Sequence, residues 1–248
     1  YANLAAVFSA YRPKKFSMRL ANLYLATLTE NGAARPVDII NSVILLLKGH
    51  ETIQEAIRVS SDFEGSRAKD LCMKLSKIPL FIYILKVCNI PDLDFETFLK
   101  NLRFALLLNR EHLRSEPYLL EFQVPLALQC FINEYVYAET EDESKLVKEL
   151  EIHIKKSLDK GGGCSFFDLA CLASYRPLGN YNWISTVVSD PSIKPILDRQ
   201  VNEIHQEFAL ASDIPRLTQI MDQVSLKVKN QYEQNPYPRW IKTSFPTK

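Results

Sequence analysis

Leu126-Ala127-Leu128-Gln129-Cys130-Phe131-Ile132-Asn133-Glu134-Tyr135-Val136-Tyr137 is apolar almost all the way round when wound at helical spacing. A helix at a protein surface confines its apolar residues to one stripe, whereas one that is apolar on every side is surrounded by other elements. This stretch is therefore expected to be the central helix of the core. The chain on both sides supplies its neighbours, because nearly every segment repeats apolar residues at i, i+3, i+4 spacing and prolines fall where helices begin or break. The reading is all-α, a multi-helix bundle or an irregular α-solenoid.

Upstream, residues 2 to 11 form a short apolar helix ended before Pro13, and Phe16 to Leu28 carry a second, stopped by Asn31-Gly32. Pro36 suits the first turn of a helix running to about Lys48, with Val37, Ile40, Val43, Ile44 and Leu47 inward. A shorter helix covers Glu51 to Val59. From Arg67 to Asn89 the pattern is strong, and Pro79 must kink or divide it. Asp94 is the expected N-cap of an amphipathic helix through Leu108, and Pro117 opens another pattern that Pro125 should interrupt.

Downstream the composition shifts. Glu139 to Glu143 is acidic and Lys145, Lys148, Lys155 and Lys156 follow, an order that suits the helix dipole and reads as a solvated helix. Gly161-Gly162-Gly163 ends it and is the clearest flexible joint. Beyond lie Ser165 to Ala173, a loop with Pro177, Gly179 and Asn180, and helices near 193 to 210 and 215 to 232. Residues 1–160 thus read as a helical domain, 164–230 as a continuation packed on it, and 231–248 as a connector.

Composition narrows the function. With 248 residues, 47% hydrophobic and 24% charged, the chain can bury a substantial core without staples. A net charge of +1 offers no global field for nucleic acid or anionic membrane, and the apolar runs are too short or interrupted to span a bilayer. Only seven glycines occur, three of them consecutive, and no GxGxxG or GxxxxGK[ST] is present, so a nucleotide fold of the doubly wound type is not expected within these residues. The five cysteines read as buried thiols of a reducing compartment, such as the cytoplasm. His50, His112, His153 and His205 stand far apart and outside metal-ligand spacing, no GxSxG turn occurs, and the acid pairs lie on a charge-balanced helix. Neither a catalytic residue nor a metal site is expected.

Three stretches stand out. In the first, Gln129, Asn133 and Glu134 interrupt an otherwise buried helix, so they must hydrogen-bond to something specific, either tethering loops internally or walling a ligand site. In Ala173-Ser174-Tyr175-Arg176-Pro177-Leu178, Tyr175 and Arg176 lie where a helix ends, and the arginine either caps carbonyls or recognises a partner. In Gln231-Tyr232-Glu233-Gln234-Asn235-Pro236-Tyr237-Pro238-Arg239-Trp240 the two prolines stop a helix, and aromatics beside an arginine have the composition of an interface anchor.

These three words, in this order and spacing, resemble the helical region of bacterial proteins that couple tetratricopeptide repeats to a class I S-adenosylmethionine-dependent methyltransferase domain. The similarity spans about residues 75 to 240. In that family the Asn-Pro-Tyr-Pro-Arg-Trp-like word is followed, within a few tens of residues, by the Gly-rich strand-turn-helix that binds the methyl donor, whereas the sequence here stops at Lys248. The resemblance implies a helical accessory region without catalytic residues of its own. Its S-adenosylmethionine would belong to an adjoining methyltransferase domain, and Gln129, Asn133, Glu134, Tyr175 and Arg176 would face a protein or peptide substrate or that domain. Tyr232, Asn235, Tyr237, Arg239 and Trp240 would form the connector and cover part of the cofactor pocket. An interaction scaffold, binding a partner on stacked helices with no cofactor, is the alternative.

Overall fold

The computed structural model describes residues 2–30, 34–59, 65–213 and 222–234. Among them the fold is all-α, with no strand. The helices are α1 (Ala2–Ala10), α2 (Met18–Thr29), α3 (Pro36–Lys48), α4 (Glu51–Arg58), α5 (Gly65–Ser76), α6 (Pro79–Val87) and α7 (Leu93–Leu108). They continue with α8 (Arg110–Leu113), α9 (Leu120–Ile132), α10 (Glu141–Asp159), α11 (Phe166–Ala173), α12 (Lys194–Leu197), α13 (Glu203–Asp213) and α14 (Gln223–Gln234).

The apolar stretch at 126–137 supplies the hub, but α9 ends at Ile132, short of the helix through Tyr137 that the spacing suggests. Every residue of α9 from Phe122 to Ile132 is buried, and the helix packs against α5, α6, α11 and α12. Helix α6 lies along one side with Leu80, Phe81, Ile84 and Leu85 inward, and the Phe81, Phe95 and Phe98 rings join it to α7 at centroid separations of 5.2–6.1 Å. Fully burying such side chains contributes about 1.5–3 kcal/mol each. The arrangement follows from sequence: a helix without a polar face has to be covered on all sides.

Local signals set most boundaries. The Ser17 hydroxyl accepts from Leu20 N and caps α2, Pro36 starts α3, and Thr140 with Glu143 forms a reciprocal capping box at α10. Pro79 divides the 67–89 pattern rather than kinking it, because Ile78 before it is extended at φ −105 and ψ 90. Three expectations are corrected. Helix α7 is capped by Asp92, whose Oδ1 accepts from Asp94 N at 3.1 Å and Phe95 N at 3.3 Å, so Asp94 falls in the first turn. Pro125 does not interrupt α9, and Val37 is 63% exposed rather than inward. Lys48 at the end of α3 spans Asp92 and Asp94, 2.7 Å from each carboxylate, and so ties α3 to the start of α7.

Candidate functional site

The bulkiest fully buried side chain among the described residues is not an aromatic ring but Arg103, which α7 drives into the core at 2% exposure. A buried guanidinium is tolerable only when paired and hydrogen-bonded. Its Nη2 donates to Glu143 Oε1 at 3.1 Å and to the Ala138 carbonyl at 3.2 Å, and its plane lies 4.0 Å from the Tyr175 ring centroid and 5.8 Å from that of Tyr137. Tyr175 also donates its hydroxyl to Glu143 Oε1 at 2.8 Å, and Glu143 Oε2 accepts Thr140 N at 2.9 Å. Burial pushes the Tyr175 and Tyr137 hydroxyls well up, so both remain donors. Glu143 thus corrects the reading of the acidic segment as solvated. It is buried, and one carboxylate closes the capping box of α10 while neutralising an arginine of α7.

Helix α9 leaves the core beside this node. After Ile132 the chain turns through Glu134 and Tyr135, both at φ 56, a left-handed conformation that costs a non-glycine residue about 1–2 kcal/mol. Backbone bonds from Glu134 N to Phe131 O and from Tyr135 N to Cys130 O fix the turn, and the Tyr135 hydroxyl donates to the Ala173 carbonyl at 3.3 Å. Gln129, fully buried, places its amide against the carbonyls of Cys88 and Leu85, and in the orientation that turns its nitrogen towards them it donates at 2.9 and 3.3 Å to the end of α6. Asn133 is buried with neither side-chain atom in a hydrogen bond of acceptable geometry, although the Tyr137 hydroxyl is close enough to feel it. Such an amide costs about 1–3 kcal/mol. The Arg103 Nε shares that condition.

The Ala173 carbonyl is a second meeting point. It accepts from Tyr135 and from Gln200 Nε2 at 3.1 Å, while Gln200 Oε1 accepts Leu178 N at 3.1 Å. Gln200 reaches both because α12 and α13 are joined through a π turn, Asp198–Asn202, the wide-bore geometry that recurs at functional positions. Gly179 lies so close that a Cβ there would stand 2.6 Å from the Gln200 carbonyl oxygen. Towards solvent, Arg176 forms a fork on Glu139 at 2.7 and 2.8 Å and holds that carboxyl below the usual carboxylate range. Tyr181 donates to Glu151 and stacks on Trp183.

The structure therefore brings Asn133, Glu134, Tyr135, Tyr175 and Arg176 to one end of the α7, α9, α10 and α11 array, and directs Gln129 to another helix end. Tyr232 lies within α14; Asn235, Tyr237, Arg239 and Trp240 lie outside the described residues. Sequence reading missed Arg103, Glu143 and Gln200. The S/T-x-x-E spacing of Thr140 and Glu143 was visible in the sequence, but nothing local marked the partner 40 residues away.

Chemically the arrangement is a fastener. Burial lifts the thiols of Cys130 and Cys164 to about 11 and that of Cys88 to about 12, so none is a thiolate nucleophile at neutral pH. Among the described residues no group of three His, Cys, Asp or Glu side chains is arranged to hold a metal ion, and no helix is long and apolar enough to cross a membrane. Compared with protein-family models, with curated proteins and with solved structures, the chain matches none.

Proposed function

We propose that this chain is a helical, non-catalytic accessory region of an S-adenosylmethionine-dependent methyltransferase, presenting a protein or peptide substrate to an adjoining class I catalytic domain. The observation that carries the reading is the convergence of two of the three words on which the family resemblance rests. Residues 128–137 and 173–178 are distant in sequence, yet Tyr135 bonds to Ala173, and Tyr175 and Arg176 bond to the segment that follows Tyr137. Words that meet in space around one buried arginine have a joint role, which here is to fix the ends of α9 and α11 rigidly beside the π turn that leads into α13. A rigid platform of this kind orients a bound substrate, and orientation is the main contribution an accessory region makes to a transfer reaction.

The last two described helices support an outward-facing role. Phe208 is 70% exposed on α13 and Val224 68% exposed on α14, two exposed apolar side chains on consecutive described helices. In this proposal they face the catalytic domain, Tyr232, Asn235, Tyr237, Arg239 and Trp240 form the connector that covers part of the methyl-donor pocket, and the cytoplasm is the compartment. Sequencing the gene past the codon for Lys248 is the direct test. A Gly-rich strand-turn-helix within a few tens of codons is the expected result, and a stop codon there favours the cofactor-free scaffold, which the same exposed side chains would serve. Calorimetry of the 248-residue chain with S-adenosylmethionine should give weak or no binding. A sub-micromolar affinity would move the cofactor site into the helical region.

A further inference from the structure

The chain as a whole is balanced, with 30 basic and 29 acidic residues, but its charge is unevenly placed. Arg12, Lys14, Lys15 and Arg19 all precede the first acidic residue, Glu30. They lie on the segment that joins α1 to α2 and on the first turn of α2, and all four are exposed. Pro13 between them is buried, and the Phe16 ring stands edge-on to His50 at a centroid separation of 4.6 Å. The backbone of Lys15 and Phe16 runs so close to Gly49 that a Cβ there would stand 2.6 Å from Phe16 N. The segment is therefore seated on the body of the protein, and its cations stand outward from a fixed backbone.

Among the described residues no carboxylate neutralises these charges. Lys14, Lys15 and Arg19 form no hydrogen bond and no ion pair, and Arg12 gives its Nη1 to the carbonyls of Ser9 and Tyr11, each at 3.0 Å, which ties it to the end of α1. Lys48, Lys69 and Lys74, by contrast, each reach a carboxylate at 2.5–2.8 Å. Tyr11 and Met18, 46% and 56% exposed, add apolar surface among the cations. Like charges crowded on one segment repel one another, and an anionic partner relieves that repulsion.

We propose that residues 11–19 are a docking surface for an acidic segment of a protein or peptide, its carboxylates paired with Lys14, Lys15 and Arg19 and its apolar side chains laid on Tyr11 and Met18. Glu51 favours this class of partner over an extended polyanion. It follows His50, against which Phe16 packs, and is exposed at the start of α4, so a carboxylate borders the basic segment. A bilayer surface or a nucleic acid strand laid across the segment would bring phosphates towards Glu51 as well. A peptide chain can set its acids on the cations and turn a neutral or basic residue to Glu51. Docking there does not require an adjoining methyltransferase domain.

A fluorescein-labelled peptide of repeating Glu-Glu-Leu, titrated with the 248-residue chain and read by fluorescence anisotropy, tests this. Saturable binding is expected, weakening as salt rises from about 50 to about 300 mM, and the matching Gln-Gln-Leu peptide should not bind. Lys14→Glu combined with Lys15→Glu and Arg19→Glu, all at exposed sites, should weaken binding about tenfold or more. The milder pair Lys14→Gln and Lys15→Gln should show a smaller loss in the same direction. Lys148→Glu with Lys155→Glu and Lys156→Glu makes the same change in net charge at exposed positions of α10 and should bind as the wild type does. No saturable binding by the wild-type chain, or equal binding by the two triple variants, would overturn the docking surface. So would tighter binding of an oligothymidylate or of phosphatidylserine-containing vesicles that is lost in the Lys14, Lys15 and Arg19 variant.

Discussion

Arg103 is costly to bury, and the Glu143 carboxylate, the Ala138 carbonyl and the Tyr175 ring offset part of that cost while its Nε stays unpaired. Removing one member of such a pair is more damaging than the pair is stabilising, because the remaining charge stays buried. Glu143→Gln should therefore destabilise the chain by about 3 kcal/mol or more in urea unfolding. Tyr175→Phe, which removes one hydrogen bond and keeps the ring on the guanidinium, should cost only about 1–1.5 kcal/mol. Equal losses in the two variants would mean that the carboxylate's charge adds nothing beyond a single hydrogen bond in holding the arginine. Asp168 supplies the opposite case. Burial lifts its native pKa above the ordinary 3.8, so the folded chain retains a proton that the unfolded chain has released. The stability this contributes is complete below the unfolded value and is lost as pH rises through the raised native value. Asp168→Asn, which cannot ionise, should accordingly melt at a higher temperature than the wild type at pH 7, with the gap closing as the solution is acidified below about pH 4. A gap that widens on acidification would reverse the sign and the assignment.

Between elements, two prolines in similar apolar runs had opposite outcomes, and the difference is tertiary. Pro79 follows Ile78 in extended geometry and opens a new helix, whereas Pro125 sits inside α9, where a proline forfeits a backbone bond and costs about 3 kcal/mol. Burial of Phe122, Val124, Leu126, Ala127 and Leu128 around it, each worth about 1–3 kcal/mol according to size, offsets that loss. Periodicity revealed the helix but could not weigh its neighbours, so the expected break was absent. The cap of α7 went the same way: Asp92 and Asp94 are chemically equivalent, and only the three-dimensional path to Lys48 shows that both are used. The π turn at Asp198–Asn202 was invisible, because the groups its Gln200 engages, Leu178 and Ala173, lie 22 and 27 residues away in sequence. It makes a sharp prediction for the loop opposite. Gly179→Ala places a methyl 2.6 Å from the Gln200 carbonyl, a backbone atom that cannot swing aside. The loop or the π turn must shift, and unfolding free energy should fall by about 1–3 kcal/mol. If Gly179→Ala is as stable as wild type, the close approach of loop and helix is not rigid.

For the whole molecule, the all-α class followed from helical spacing in nearly every segment and from prolines where helices begin or break, and the absence of a polar face on residues 126–132 picked out the core helix. Of the polar residues expected to hydrogen-bond within the stretch, Asn133 has neither side-chain atom in a hydrogen bond, whereas Tyr175 and Arg176 at the end of α11 bond to Glu143 and Glu139. Their partners were not legible, since Arg103, Glu143 and Gln200 lie tens of residues away and look like ordinary helix-surface residues in a linear reading. The structure turns most of these polar groups inward, and apolar side chains stand exposed at several places, among them Leu93, Val188, Phe208 and Val224. Phe208 at 70% and Val224 at 68% exposure contribute little to the fold if these faces are there for a partner. Surface substitutions that touch no packed feature usually change stability by less than about 0.5 kcal/mol. Phe208→Ser combined with Val224→Ser should therefore leave the calorimetric melting temperature nearly unchanged, while reducing the binding of a hydrophobic dye to the native chain. A loss of more than about 2 kcal/mol would instead place both side chains in a packed contact, because that is the scale of removing a buried apolar group, and the outward face would no longer be available to a catalytic domain or to any other partner.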